Sequence, residues 1–125
     1  MAGQNNILND SMVAAADLSS YQYRFVKISA ARTVNICGSG EAMYGILQNA
    51  PESGYMANIC VLGISNLVAS AAISAGAMVG SAALGKGVAV TTDVYEYGAI
   101  AREAATLDGD IISVLVCPGA PTISA

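Results

Sequence analysis

Tyr44-Gly45-Ile46-Leu47 opens a stretch of this chain that closes on Ile59-Cys60-Val61-Leu62. Tyr97-Gly98-Ala99-Ile100 opens another that closes on Ile112-Ser113-Val114-Leu115. Each begins with Tyr-Gly, continues through a polar or small-residue segment containing a glycine, and finishes in a β-branched run ending in Val-Leu. The spacing from the tyrosine to the final leucine is the same in both, so the copies are in register at both ends. Their interiors are looser, because Gly54 and Gly109 fall two places apart in that frame. Short apolar runs bounded by glycine and proline read as strands. The repeat therefore predicts a strand–turn–strand unit used twice within one small sheet, in a chain whose composition otherwise suggests helix or membrane.

Working outward, residues 21–28 alternate Tyr21, Tyr23 and Phe25 with Gln22 and Arg24, and residues 31–37 continue in the same style. Both predict strands, separated from the first copy by a Gly38-Ser39-Gly40 turn. Within the first copy, strands at 42–48 and 56–62 flank a turn at 49–54, where Pro51 presets the backbone. Gly63 ends or bulges the second strand, and residues 64–69 form another short one. Residues 72–76 turn into Met78-Val79. Gly85-Lys86-Gly87 makes a hairpin tip before a strand at 88–91. The second copy supplies strands at 95–103 and 110–116 around a turn at 106–109, and Pro118, Gly119 and Pro121 stop regular structure. Many short strands with frequent glycine turns point to an all-β fold, a small β-barrel or β-tulip-like domain. Residues 1–20 lack a sustained period and read as an extended N-terminal arm, with a short helix around residues 12–18 as the alternative. The domain itself spans 21–117, and 118–125 is a tail.

The chain has 125 residues, enough for one domain with a real core. Lys and Arg number 5 against 9 Asp and Glu, a net charge of -4. That balance argues against nucleic acid as a partner, since affinity for phosphate backbones rests on clustered basic residues. Only 11% of residues are charged and 54% are hydrophobic, against about a quarter charged in an ordinary soluble domain. A surface so poor in charge favours association, so much of it is expected to be covered by identical subunits or another protein. Residues 53–85 carry no charge, a length that could span a bilayer. Asn58, Asn66, several serines and Gly63, Gly76 and Gly80 break it into strand-length pieces without basic flanks, which argues against a membrane helix. An Ala-rich helix at 69–77 is a second alternative. The first twenty residues carry Asn5, Asn6, Asn9, Asp10 and Asp17 and no early Lys or Arg, unlike an export signal, so synthesis in a reducing cytoplasm is expected.

Catalytic and cofactor chemistry finds little footing. His is absent, which removes the usual general base and the Ser-His and Cys-His pairs. Cys37, Cys60 and Cys117 are odd in number and widely spaced, so they read as small buried hydrophobes and not as a disulfide framework. The run from Gly80 to Gly87 falls one residue short of a phosphate-binding loop, with Gly87 where the magnesium-binding hydroxyl belongs. Lys86, on a glycine hairpin, is the residue a small carrier domain would present for biotinyl or lipoyl attachment, and this is the alternative function. Glu96, Glu103, Asp108 and Asp110 lie at turns and strand ends, where carboxylates are ordinary turn chemistry. No metal, no cofactor and no enzymatic activity are expected.

Several segments in order are similar to one family. Gly45-Ile46-Leu47-Gln48-Asn49-Ala50-Pro51, Val61-Leu62-Gly63, Ala72-Ile73-Ser74-Ala75-Gly76, Gly98-Ala99-Ile100-Ala101 and Gly109-Asp110-Ile111-Ile112-Ser113-Val114-Leu115 resemble the capsid decoration (cement) proteins of tailed bacteriophages. The resemblance covers residues 42–116. It implies a β-rich subunit on the outer surface of the virion head, made in the host cytoplasm, that clamps neighbouring major capsid proteins. It implies homotrimers first and dimers second. The residues expected to dock on the capsid or a neighbouring subunit are Leu8, Val13, Leu18, Tyr21 and Tyr23, apolar or aromatic positions in or just after a polar arm.

Overall fold

The computed structural model describes residues 4–90 and 97–119. The expected strand end at Thr91, the strand start at Tyr95 and most of the C-terminal tail lie outside the described residues. The fold is all-β. Its strands are β1 (Asn5–Ala14), β2 (Phe25–Ala30), β3 (Thr33–Ile36), β4 (Gly45–Leu47), β5 (Met56–Val68), β6 (Met78–Ser81), β7 (Gly87–Ala89), β8 (Tyr97–Ala101) and β9 (Ile111–Gly119). A single 3-10 turn, Ala83–Gly85, joins β6 to β7. Among the described residues, no helix is long and apolar enough to cross a membrane.

The strands form two groups that share β5. In the first, the order β1-β3-β2-β4-β5 closes on itself, because β1 also pairs with β5. The β1–β3 contact is parallel, through Val13↔Thr33 and Ala14↔Val34, and the other pairings of this ring are antiparallel. In the second, β5 continues through β9, β8 and β6 to β7. That group also comes back on itself, by a bridge between Ala69 and Gly87 and a 2.8 Å bond from the Ser70 N–H to the Gly87 carbonyl.

Strand alternation explains how the groups adhere. Ala14, Val26, Val34, Leu47, Ala57 and Ile59, at least one from each strand of the ring, fill its interior together with Leu18. Their immediate neighbours Phe25, Ile46 and Cys60 point the opposite way. These three are buried in the second core with Leu67, Val79, Ala99, Ile112, Val114 and Val116. The outward side chains of β2, β4 and β5 are therefore inward side chains of the other group.

The two expected strands at 56–62 and 64–69 are one 13-residue strand. It carries a phase change at Gly63. Before it, odd-numbered Ala57 and Ile59 face the first core; after it, odd-numbered Leu67 and Ala69 face the second. Gly63 has φ +121°, and a Cβ there would lie 2.5 Å from the Ile7 nitrogen and 2.7 Å from the Asn5 oxygen. Only glycine suits that backbone with β1 so close.

Other sequence expectations need correction. The stretch read as an arm contains β1, hydrogen-bonded along β5 from Asn5↔Ile64 to Val13↔Met56. The helix considered around residues 12–18 does not form, nor does the Ala-rich helix at 69–77. Instead, Ile73 and Ala105 exchange backbone bonds of 3.0 and 2.9 Å. The strand expected from Tyr21 begins only at Phe25. Tyr23 sits in a left-handed turn, φ 64°, whose N–H donates to the Leu47 carbonyl and whose carbonyl accepts from Val68.

Both copies of the repeat are antiparallel strand pairs, and they adjoin through β5 and β9, from Gly63↔Val116 to Val68↔Ile111. Their internal registers differ. Ile46 pairs with Cys60, but the matching Ala99 pairs with Val116 and not with Ser113, the residue that matches Cys60.

Candidate interaction surface

The ionisable side chains of the second copy serve as structural fasteners. Asp110 Oδ2 accepts from the Thr106 N–H at 2.9 Å, the Leu107 N–H at 3.0 Å and the Thr106 hydroxyl at 3.0 Å. Those two backbone donors, then the hydroxyl, hold its carboxyl below the usual range. Glu103 accepts from the Ser113 N–H at 2.8 Å. Lys86 is not a solvated tip: its Nζ lies 2.9 Å from Asp108 Oδ1, with less than a quarter of the side chain exposed. The apex of that connection is Leu84, half exposed at φ 57°. This geometry does not present Lys86 for attachment of a carrier group. Burial pushes the thiols of Cys60 and Cys117 up, which keeps them protonated and poor nucleophiles. Among the described residues, no cluster of three metal-ligating side chains occurs.

The five residues expected at an interface fall in different places. Leu8 is 54% exposed and lies directly opposite Leu62 across β1 and β5. Val13 is at the margin of exposure, opposite the exposed Met56. Leu18 is fully buried in the ring's own core, so it is not available to a partner. Tyr21 and Tyr23 are half-buried. Tyr21 packs on that core and carries the Arg24 guanidinium 5.1 Å from its ring centre.

A larger feature escaped the sequence reading. Register places Asn5, Ile64, Leu115, Ile100 and Met78 in one unbroken row across β1, β5, β9, β8 and β6. Leu115 is 38% exposed and Met78 46%. The neighbouring row on the same strands, Val116, Ala99 and Val79, is fully buried, so the Leu115 row faces away from the core. No ionisable side chain falls within this band. At its border, Arg102 Nη1 donates to the Ser113 hydroxyl at 2.7 Å, beside Glu103. One signal was available: residues 111–116, Ile-Ile-Ser-Val-Leu-Val, are apolar on both faces, the pattern of a strand covered on both sides.

With this geometry in hand, the fold finds a counterpart. It is similar to the N base of the head fiber gp8.5 of bacteriophage phi29. The TM-score is 0.69 over 87% of this chain and 92% of that one, at 13% sequence identity. At that identity the likeness is one of fold. No family model matches the sequence, and no curated protein does.

A second apolar exposure lies at the far end of β5. Tyr55 and Met56, both more than half exposed, edge a shallow depression of about 410 Å³ lined also by Asn49, Ala50, Pro51 and Glu52. Val13 stands beside it through its pairing with Met56. The chain thus shows apolar surface at both ends of the β1–β5 ribbon.

Proposed function

We propose that this chain is a non-enzymatic structural subunit of a phage head, carried on the outer surface of the shell, where it binds the major capsid protein and stabilises contacts between its copies. The observation that carries the reading is the fold shared nearly end to end with a phage head-fiber base. The ordered motif series of residues 42–116 supports it. So does the physical character of the chain, with 11% of its residues charged and apolar side chains exposed on β1, β5, β6 and β9. A shell offers many equivalent sites, so modest affinity per contact is multiplied when subunits are joined. The exposed residues of the β1–β5 ribbon, Leu8 and Val13 with Leu62 and Met56, are the contact positions this reading favours. Self-association, as trimers or dimers, accompanies it.

Co-sedimentation with expanded, undecorated heads of the phage that encodes it tests the proposal, with unexpanded proheads as control. Saturable binding at a fixed ratio to the capsid protein is expected. Absence of binding by folded protein would overturn it.

A second reading is that the chain is the base of a head fiber, which the phi29 likeness favours. The two separate on heads lacking the protein. A cement subunit's absence lowers the temperature at which heads release DNA. A fiber base's absence leaves that temperature unchanged and removes projections seen by electron microscopy.

A further inference from the structure

We infer that the β2–β3 hairpin is a flap, which swings off β1 at the β1–β3 seam and opens the ring while the β1–β5 ribbon and the second core stay assembled. Val13 belongs to the seam and, through Met56, to the contact positions proposed above, so on that reading the flap sets the shape of one contact. Its test needs no heads, so its failure leaves the head reading untouched.

Three observations carry it. First, the seam is short and closed off at both ends. Its parallel register covers Val13↔Thr33 and Ala14↔Val34. The Val13 N–H donates to the Arg32 carbonyl at 3.0 Å and the Ala15 N–H to the Val34 carbonyl at 2.8 Å. A longer parallel ladder would next use the N–H groups of Ser11 on β1 and Ile36 on β3. Both turn to a side chain instead: Ser11 donates to Asp10 Oδ1 and Ile36 to Asn35 Oδ1, each at 2.8 Å. The ladder therefore stops without leaving those donors unpaired. Second, the hairpin hangs from its base. β4 pairs with β2 at Phe25 and Val26. Beyond them lies the Lys27–Glu41 ion pair, 2.7 Å long with both side chains partly in solvent, where such pairs contribute little. The tip, residues 28–32, is exposed. Its turn is tight, with Ala30 paired to Thr33 around Arg32 at φ 52° and the Thr33 hydroxyl donating to the Ala31 carbonyl at 2.9 Å, so the hairpin moves as a unit. Third, β1 is held on its other edge without the seam. Its register on β5 runs from Asn5↔Ile64 to Val13↔Met56. The Ala14 N–H donates to the Tyr55 carbonyl and the Leu18 N–H to the Pro51 carbonyl, both at 2.9 Å. Local opening takes the most weakly tied closure first, and in this ring that closure is the seam.

The test is residue-resolved amide hydrogen exchange of the full chain by NMR. Three consecutive residues decide it, because Val13 and Ala15 donate across the seam and Ala14 donates across the ribbon. Protection at Val13 and Ala15 is expected to be at least about tenfold below that at Ala14, with a weak urea dependence, since a swinging flap exposes little surface. The amides paired between β2 and β3 should stay protected with the ribbon. A variant carrying Val13→Cys and Thr33→Cys, oxidised to bridge the seam, should bring Ala15 to the protection of Ala14, and reduction should restore the difference. Equal protection at all three residues of the unaltered protein overturns the inference. So does loss of β2–β3 protection together with the seam, which means that the hairpin melts and does not swing. A bridged variant in which Ala15 exchanges as fast as before overturns it as well.

Discussion

The two hairpins answer to one sequence phrase, yet they hold themselves together differently. In β4–β5 the turn is pinned by a neutral side chain: Asn49 Nδ2 donates to the Met56 carbonyl at 3.0 Å, and its Oδ1 accepts from the Asn58 N–H at 2.9 Å. In β8–β9 the pin is the Asp110 carboxylate with its three donors. The opening glycines differ in the same way. A Cβ on Gly45 would strike the Cys60 carbonyl oxygen and come within 2.7 Å of Ile59 Cγ2, whereas one on Gly98 meets the Met43 side chain at 2.5 and 2.7 Å. Their ends differ too: Gly63 in β5 matches Val116 in β9, because β1 crosses against the first copy only. A repeat in sequence preserves the strand–turn–strand plan; the neighbours then decide what each position must tolerate.

The largest effect should come from removing what only the first hairpin has. Deleting residues 1–20 strips β1 from β5 and takes Ala14 and Leu18 out of the core. The truncated protein should lose its cooperative thermal transition. A truncated protein that melts like the full chain would mean that the ring does not depend on β1.

The glycine pair comes next. Gly45→Ala pushes a methyl into backbone and should cost about 3 kcal/mol, while Gly98→Ala pushes one into a flexible methionine and should cost about 1 kcal/mol. Urea unfolding of both measures the gap; equal losses would erase the distinction between the copies.

Turn chemistry gives a smaller effect. Asn49→Ala should cost about 1 kcal/mol in urea, for the loss of two bonds near the surface. A cost indistinguishable from zero would show that Pro51 and the strand pairing set that turn unaided.

The smallest effect is a difference in acid response. Asp110 has its folded pKa depressed, so its contribution is fully present above the unfolded carboxylate value and fades as pH falls through the folded one. Asp10, Asp17 and Glu41 are depressed as well, Asp10 chiefly by the Tyr44 hydroxyl, Asp17 chiefly by the Ser19 hydroxyl and Glu41 chiefly by Lys27. Urea midpoints should therefore drop below about pH 4. Asp110→Asn should flatten that drop, leaving the share of the other three. An identical acid slope in the variant would place the sensitivity outside the second turn.

Much of this was legible in the chain. Strand–turn alternation over residues 42–116 could be read because apolar runs and Gly, Pro and Asn turn signals are local. The β1 residues misled, because Asn5, Asn6, Asn9, Asp10 and Ser11 look like a solvated arm. Only one side of that ribbon is covered, and polar side chains suit the other. Tyr21 and Tyr23 misled in the opposite sense: their alternation with Gln22 and Arg24 has a strand's period, but Tyr23 turns the chain. Of the interface candidates, Leu8 and Val13 reached the surface and Leu18 did not, since polarity along an arm does not say which residue folds back into a ring.

The sequence by itself determined that this is a chain of short strands with two matched hairpins and no histidine chemistry, because periodicity, turn residues and composition act within a few residues. Only the tertiary structure decided that β5 is shared by two closed groups, that β1 lies along it, that Gly63 must be glycine, and that Ile64, Leu115, Ile100 and Met78 line up on an outer face. Each of these depends on register between strands far apart in the chain. Hydrogen bonds and close packing choose that register only when the whole sheet is assembled.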